Sequence, residues 1–341
     1  MGSKVLRLLI TLSLVIVLGA VFAITAPYFL TARNISQLFR DSAYIGLVAV
    51  GVSFVIIGGG IDLSVGGIIC VTAVLTARIS LLNVPGFVLV VCALAIGGIF
   101  GMINAFLVTK LSLTEFVATL ASGFVYSGLA LILGFRAENG ALITKAITNT
   151  GFLSWGKGIG SVYYISIVWI VVTILAYFII TRTRFGRHTY AIGSSARSAQ
   201  MSGVDLALIK NAGFIISGCC AGLCAALTIA FQSGASASLG KGAEFQAIAA
   251  CVIGGCLLGG GKGNSVGAFL GALFLSLILN GLYKFGISST WQYVFMGAII
   301  LVATAFDAWF TKFTSRRLIA KERVRREHRI IDAPEAGEKN V

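Results

Sequence analysis

Runs of strongly apolar residues, separated by short polar stretches, recur along nearly the whole chain. A helix rises about 1.5 Å per residue and needs about 20 apolar residues to cross the hydrocarbon layer of a membrane. The pattern therefore predicts an all-α polytopic membrane protein of about ten transmembrane helices. They lie near residues 6–25, 43–59, 64–83, 86–109, 116–134, 162–181, 210–231, 244–259, 264–283 and 291–311. Two of these runs, 43–59 and 244–259, are short, and the second is rich in glycine. Both are open to being tilted, broken or partly embedded.

Composition agrees with the pattern: of 341 residues, 57% are apolar and only 11% charged, which excludes an ordinary soluble domain. Glycine is abundant at 42 and proline scarce at 3, as suits closely packed membrane helices rather than disordered linkers. The net charge of +14 sits between the apolar runs. Threading the spans alternately sends Lys4, Arg7, Lys110, the 181–210 loop, Lys262 and the basic tail to one face. By the positive-inside rule that face, with both termini, is cytoplasmic, so the charge reads as topology and no nucleic-acid partner is expected. The organisation expected is a transmembrane domain over 1–311, containing the 181–210 loop, followed by a basic tail over 312–341 suited to anionic lipid. The start, Lys4 and Arg7 before an apolar run and Ala23-Ile24-Thr25-Ala26, also resembles a cleavable signal, but the run is longer than such a segment, and it is read as an anchor.

Chemistry is sparse. All seven cysteines fall inside apolar runs and read as core packing, and His188 and His328 lie in basic polar stretches, so no metal site is expected. The glycine-rich stretch ending Gly259-Gly260-Gly261-Lys262-Gly263 lacks the phosphate-loop pattern, because Gly263 stands where Ser or Thr is needed. No nucleophile–base arrangement is present, and catalysis and a bound cofactor are not expected of this chain.

The sequence does repeat itself. Gly58-Gly59-Gly60-Ile61-Asp62-Leu63-Ser64-Val65-Gly66 and Gly259-Gly260-Gly261-Lys262-Gly263-Asn264-Ser265-Val266-Gly267 share GGGxxxSVG, each between two apolar runs. Three glycines in a row break a helix at about 1 kcal/mol each relative to alanine. Backbone exposed in this way must be buried in protein or wetted by a cavity, so such breaks mark a pathway, a hinge or a tight helix contact. A plain turn capped by Ser64 or Ser265 accounts for the same residues. Glycines four apart (Gly97 with Gly101, Gly218 with Gly222, and Gly263, Gly267, Gly271) predict close helix contacts. The acids Asp62, Glu115, Glu244 and Asp307 lie near span ends rather than at mid-membrane, which disfavours an ion-driven mechanism. The 181–210 loop carries a short helix expected over 195–201, capped by Ser194 or Ser195 and closed by Gly203, and is the best docking surface in the chain.

At these residues the sequence resembles a known family. Gly59-Gly60-Ile61-Asp62-Leu63-Ser64-Val65-Gly66 looks like the GGIDLSVG signature of bacterial ABC sugar-importer permeases, the ribose-type branch of the branched-chain amino acid and sugar permeases. Phe116-Val117-Ala118-Thr119-Leu120, Thr183-Arg184-Phe185-Gly186-Arg187 with Ala191-Ile192-Gly193, and Glu244-Phe245-Gln246-Ala247-Ile248-Ala249-Ala250 resemble three further family segments in order and spacing. Ser194, Thr114, Ala105 and Ala121 depart from the family pattern, which leaves the substrate open.

The resemblance implies a type II importer permease: the translocation subunit that moves a small sugar or polyol across the bacterial inner membrane. A soluble periplasmic sugar-binding protein delivers the substrate, and a separate cytoplasmic ATPase subunit carries ATP and Mg. A second permease copy or a related permease completes the pore. It further implies that Gly193, Ser194, Ser195, Ala196, Arg197, Ala199 and Gly203 form the ATPase-coupling loop. Polar residues of the candidate path or gate are Asp62, Ser64, Asn104, Glu244, Gln246 and Asn280, with Gly58, Gly59, Gly60, Gly259, Gly260 and Gly261 as the helix breakers. A stand-alone secondary transporter or facilitator is the competing expectation.

Overall fold

A computed structural model describes residues 3–288 together with 291, 294–299, 301–302 and 305. The chain divides into two units after Met296, and the first is described here. The expected tail over 312–341, and with it much of the expected span 291–311, lies outside the described residues.

The described helices are α1 (Ser3–Thr25), α2 (Ala32–Ile57), α3 (Val65–Ser80), α4 (Gly86–Thr109), α5 (Glu115–Leu133), α6 (Thr150–Leu153), α7 (Tyr164–Arg182), α8 (Arg184–Ser194), α9 (Ala196–Met201), α10 (Leu206–Gln232), α11 (Ala243–Ile253) and α12 (Ser265–Lys284). Seven of them, α1, α2, α4, α5, α7, α10 and α12, are long and apolar enough to cross a membrane, and α3 and α11 are shorter apolar helices. The chain is therefore a multi-pass membrane protein. Its described strands, β1 (Lys145–Ala146), β2 (Gly158–Ile159), β3 (Val162–Tyr163) and β4 (Gly234–Ala235), form two antiparallel pairs, β1 with β4 and β2 with β3.

The two short runs resolve differently. The run at 43–59 belongs to a 26-residue helix, α2, that begins eleven positions earlier than hydropathy indicates. Asn34, Gln37, Arg40 and Asp41 in its first turns conceal it, while the Thr31 hydroxyl caps it by accepting from Asn34 N–H. The run at 244–259 yields only the 11-residue α11, because the chain leaves the helix at Gly254, before the glycine triplet.

Helix α2 is the post around which the first unit is assembled. It packs against α7, α10, α11 and α12, and from Ala43 to Ile57 all but Tyr44 of its residues are buried. The glycine pairs act as expected. Gly97 and Gly101 of α4 face Gly218 and Gly222 of α10 so closely that a methyl group at Gly97 would strike the Gly218 carbonyl. Gly267 and Gly271 of α12 lie in the same way against Gly254 and Ala250 of α11, whereas Gly263 belongs to the preceding turn. The cysteines are free thiols within this packing, five of them buried.

Between α10 and α11 the chain turns back into the bundle. Ser233 ends α10 at φ 53, and the connection runs past α2, where the Tyr44 hydroxyl donates to Leu239 C=O at 3.1 Å. It then meets α3, where Gly240 N–H faces the Cys70 thiol at 3.3 Å. Helix α11 thus starts against α2 and α3, with Ala243 buried and Lys241 and Phe245 exposed. Non-helical backbone is tolerated at that depth only against protein or a cavity.

Candidate transport site

The two glycine triplets meet. Gly58 caps α2, Gly59 turns the chain at φ 89, and Gly260 and Gly261 stand at φ 81 and 71, a region that side chains other than glycine rarely enter. Gly261 N–H donates to Ile57 C=O at 2.9 Å, so the second break closes the orphaned carbonyl at the end of α2. Gly193 of α8 fits against the same two groups, and a methyl group there would collide with both the Ile57 carbonyl and Gly261 N. By contrast Gly259 has open space around it, and Gly60 lies beside the Glu115 carboxylate. The turn capped by Ser265 is not what forms: Asn264 caps α12 by accepting from Val266 N–H, and the buried Ser265 hydroxyl has no partner among the described residues.

Helix α8 is seated on this junction, and α9 packs against α8 and α10. Thr183 caps α8, and the Ser195 hydroxyl caps α9 by accepting from Ser198 N–H at 3.3 Å. Gly203 follows α9 at φ 80, as the spacing predicts. Ile192 and Ala199 turn inward and cluster with Ile209 of α10. The half-buried Tyr190 donates its hydroxyl to Gly263 C=O at 2.7 Å. Burial pushes its phenol up to about 12, so it stays a donor throughout the physiological range. Of the expected coupling residues, Gly193 and Ala199 face the bundle, while Ser194, Ser195, Ala196, Arg197 and Gly203 are exposed. Met201, 85% exposed, stands among them and was not singled out by the sequence, where an apolar residue in a loop helix carries no distinctive signal.

Just past the first break, Asp62 is fully buried. Its Oδ1 accepts from Ser64 N–H at 3.0 Å and from the Ser64 hydroxyl at 2.6 Å, and its Oδ2 accepts from the Ser217 hydroxyl of α10 at 2.7 Å. Ser64 Oγ in turn accepts from Asn104 Nδ2 of α4 at 2.6 Å, and Asn104 Oδ1 accepts from the Tyr126 hydroxyl of α5 at 2.9 Å. Thr119 Oγ1 accepts from Leu63 N–H at 3.1 Å. Three expected path residues, Asp62, Ser64 and Asn104, are therefore brought together and sealed in a network that ties α3, α4, α5 and α10. Its other members, Thr119 and Tyr126 of α5 and Ser217 of α10, are single hydroxyls in apolar runs, which no local pattern connects to Asp62. Nearby, Lys210 Nζ pairs with Glu115 Oε1 at 2.6 Å and joins the starts of α5 and α10.

At the opposite end of α2 a cavity of about 620 Å³ opens between α2, α10, α11 and α12. Asn34 and Asn280 sit side by side in its wall and exchange two amide hydrogen bonds of 3.1 Å. Arg40 pairs with Asp41 at 2.6 Å, and its guanidinium lies 4.3 Å from the Phe231 ring centre and 5.6 Å from that of Tyr163. Gln246, in the first turn of α11, Ser276 of α12, Gln232 of α10 and Lys241 add to the polar lining. Asn280 and Gln246 are thus placed on the cavity, whereas Glu244 lies against Gly66 at the α3–α11 contact instead. Asn34, Gln37, Arg40 and Asp41 escaped the sequence reading because the span was started at residue 43.

A family model described as "Branched-chain amino acid transport system / permease component" matches residues 34–304. The ribose import permease protein RbsC of Bacillus subtilis is 36% identical over 85% of this chain and 89% of its own length. The RbsC protein of Escherichia coli is 33% identical over 86% of this chain and 91% of its own. The D-allose transport system permease protein AlsC of Escherichia coli is 33% identical over 89% and 92%. No solved structure matches the chain. A multi-pass bundle with two glycine-broken turns, matched over most of its length by this model and by these relatives, belongs to the permease-component family of branched-chain amino acid transport systems.

Proposed function

We propose that this chain is the translocation subunit of an ABC importer for a small sugar in the bacterial inner membrane, with both termini cytoplasmic. The relatives named for ribose and allose import support the substrate class, and the basic face containing α8 and α9 supports the orientation. A separate ATPase carrying ATP and Mg docks on the exposed Ser194–Arg197 edge and Met201. A periplasmic sugar-binding protein delivers substrate to the opposite end, and a second permease, identical or related, completes the pore.

The observation that carries this reading is the seating of α8 on both helix breaks at once, through Gly193 and through the Tyr190–Gly263 bond. A push on α8 cannot leave Ile57 and Gly261 in place, because that contact is main chain on main chain with no compliant side chain between, and Gly263 is linked to α8 through the Tyr190 hydroxyl. ATP-driven movement of the docked subunit therefore reaches α2 and α12 directly, and through Asp62 and Ser217 it reaches α10. The path residues Asp62, Ser64 and Asn104 act here as a gate that separates when those helices move.

Uptake of labelled ribose, allose and xylose into vesicles tests the reading. The chain is reconstituted with and without its ATPase and binding protein, with ATP present or depleted. Uptake that requires both partners and ATP is expected. Uptake by this chain alone after ATP depletion would overturn the proposal in favour of a secondary transporter.

A further inference from the structure

We propose that the cavity between α2, α10, α11 and α12 is a binding subsite for neutral polyhydroxylated ligands held within a single chain. This selectivity element rests on the importer reading only for the direction from which ligand arrives. Its volume of about 620 Å³ falls in the range of small-molecule sites and leaves room for a monosaccharide with its water.

The lining matches the ligand in chemistry. A sugar hydroxyl both donates and accepts, and so does a carboxamide; Asn34, Gln37, Gln232, Gln246 and Asn280 place five of them around one space. Asn34 is anchored, since its Nδ2 donates to both Phe29 C=O at 2.9 Å and Asn280 Oδ1 at 3.1 Å. The pair therefore offers preset acceptors and one further N–H of Asn280. Ser276 is the more telling group: 2% exposed and lining the cavity, its hydroxyl has no partner among the described residues. A buried hydroxyl is ordinarily bonded, and the cavity that Ser276 borders is where a ligand would supply its partner. Of the charged groups, Arg40 is paired with Asp41 and covered by Phe231 and Tyr163, and Lys241 stands at the lining beside them, so the carboxamides are the main neutral groups a ligand meets. The apolar Ile45, Ile165 and Leu279 supply surface for the C–H faces of a ring.

Position gives the subsite a consequence. Ligand arriving at the end opposite α8 and α9 meets this cavity before the sealed Asp62 network, so the permease itself discriminates among sugars.

Two measurements on the full-length chain test this. In lipid nanodiscs, saturation-transfer NMR with free D-ribose, D-allose, D-xylose and D-fructose is expected to report binding with millimolar Kd to at least one of them. Ser276→Ala is expected to weaken that binding about threefold to tenfold without lowering the thermal midpoint, since it removes an unpaired hydroxyl. Asn280→Leu is expected to abolish it. In the reconstituted transporter, Ser276→Ala should change the ratio of uptake rates among the four sugars while uptake stays ATP-dependent. No saturation transfer to any sugar, or transfer that neither variant alters, overturns the subsite and leaves the importer to be decided separately by the ATP dependence of uptake. Binding that both variants weaken, in a chain whose uptake ignores ATP, overturns the importer and keeps the subsite.

Discussion

At its start α2 offers Asn34, Gln37, Arg40 and Asp41 to a cavity; at its end it gives way to Gly58 and Gly59 and to a contact made of main chain. The first region is built from side chains with space between them, the second from backbone with no space at all. Between the two, the fourteen buried residues from Ala43 to Ile57 keep the helix rigid, so a displacement at one end is felt at the other. A side-chain site tolerates substitution and is tuned by it, whereas a backbone site fails when any atom is added. The two regions should therefore respond to mutation in opposite ways.

The largest effect is expected at Gly193→Val. The added groups collide with the Ile57 carbonyl and Gly261, which cannot give way separately, and overpacking of this kind costs about 1–3 kcal/mol. ATP-driven uptake in proteoliposomes should fall at least about tenfold. Near-normal uptake would mean that the junction has slack, and the contrast would collapse.

Next comes Asp62→Ala, which strands the Ser64 and Ser217 hydroxyls and Ser64 N–H in a buried setting. A loss of about 3 kcal/mol is expected in reversible unfolding in mixed micelles, with Asp62→Asn costing less because one acceptor oxygen remains. Equal losses for both variants would show that the charge, rather than the hydrogen-bond count, matters.

Lys210→Met should cost less, about 0.5–1 kcal/mol, because the pair with Glu115 is partly exposed and water screens it. A double-mutant cycle with Glu115→Gln measures the coupling, and a value above about 2 kcal/mol would promote this pair to a structural lock.

Smallest is Tyr190→Phe, which removes one bond to Gly263 and is expected to cost about 1 kcal/mol or less. With the phenol held at about 12, that bond should be indifferent to pH until the unfolded-state value near 10 is approached. Above it the native state retains a proton that the unfolded chain releases, and the stabilisation is lost as pH rises further. A wild-type stability profile that falls instead between pH 7 and 9, unless Tyr190→Phe keeps the same fall, would place the phenol elsewhere.

Sequence patterns made the bundle, the glycine breaks and the α9 cap legible because each rests on local chemistry: hydropathy, helix propensity and a hydroxyl next to free N–H groups. The pairing of the two triplets was visible as a repeat, but not as a contact, since repetition says nothing about distance. Hidden altogether was the polar start of α2. There a window average penalises Arg40 and Asp41 as charges, although the fold neutralises them against each other. The Asp62 network was half visible. Asp62 and Ser64 lie in one motif, but Ser217 and Tyr126 reach them only through tertiary packing.

The reach of those bonds sets a schedule for synthesis. Asp62 receives the Ser217 hydroxyl from 155 residues downstream, and Asn34 its amide partner Asn280 from 246 downstream. At roughly 5–20 residues per second, a nascent chain holds Asp62 without that partner for on the order of ten to thirty seconds, and Asn34 for somewhat longer. During that interval exposure of an unpartnered carboxyl and amide to lipid is costly, which favours retention of the first helices in a wetter setting until α10 and α12 emerge. The polar network thus links burial of the amino-terminal helices to arrival of the carboxy-terminal ones.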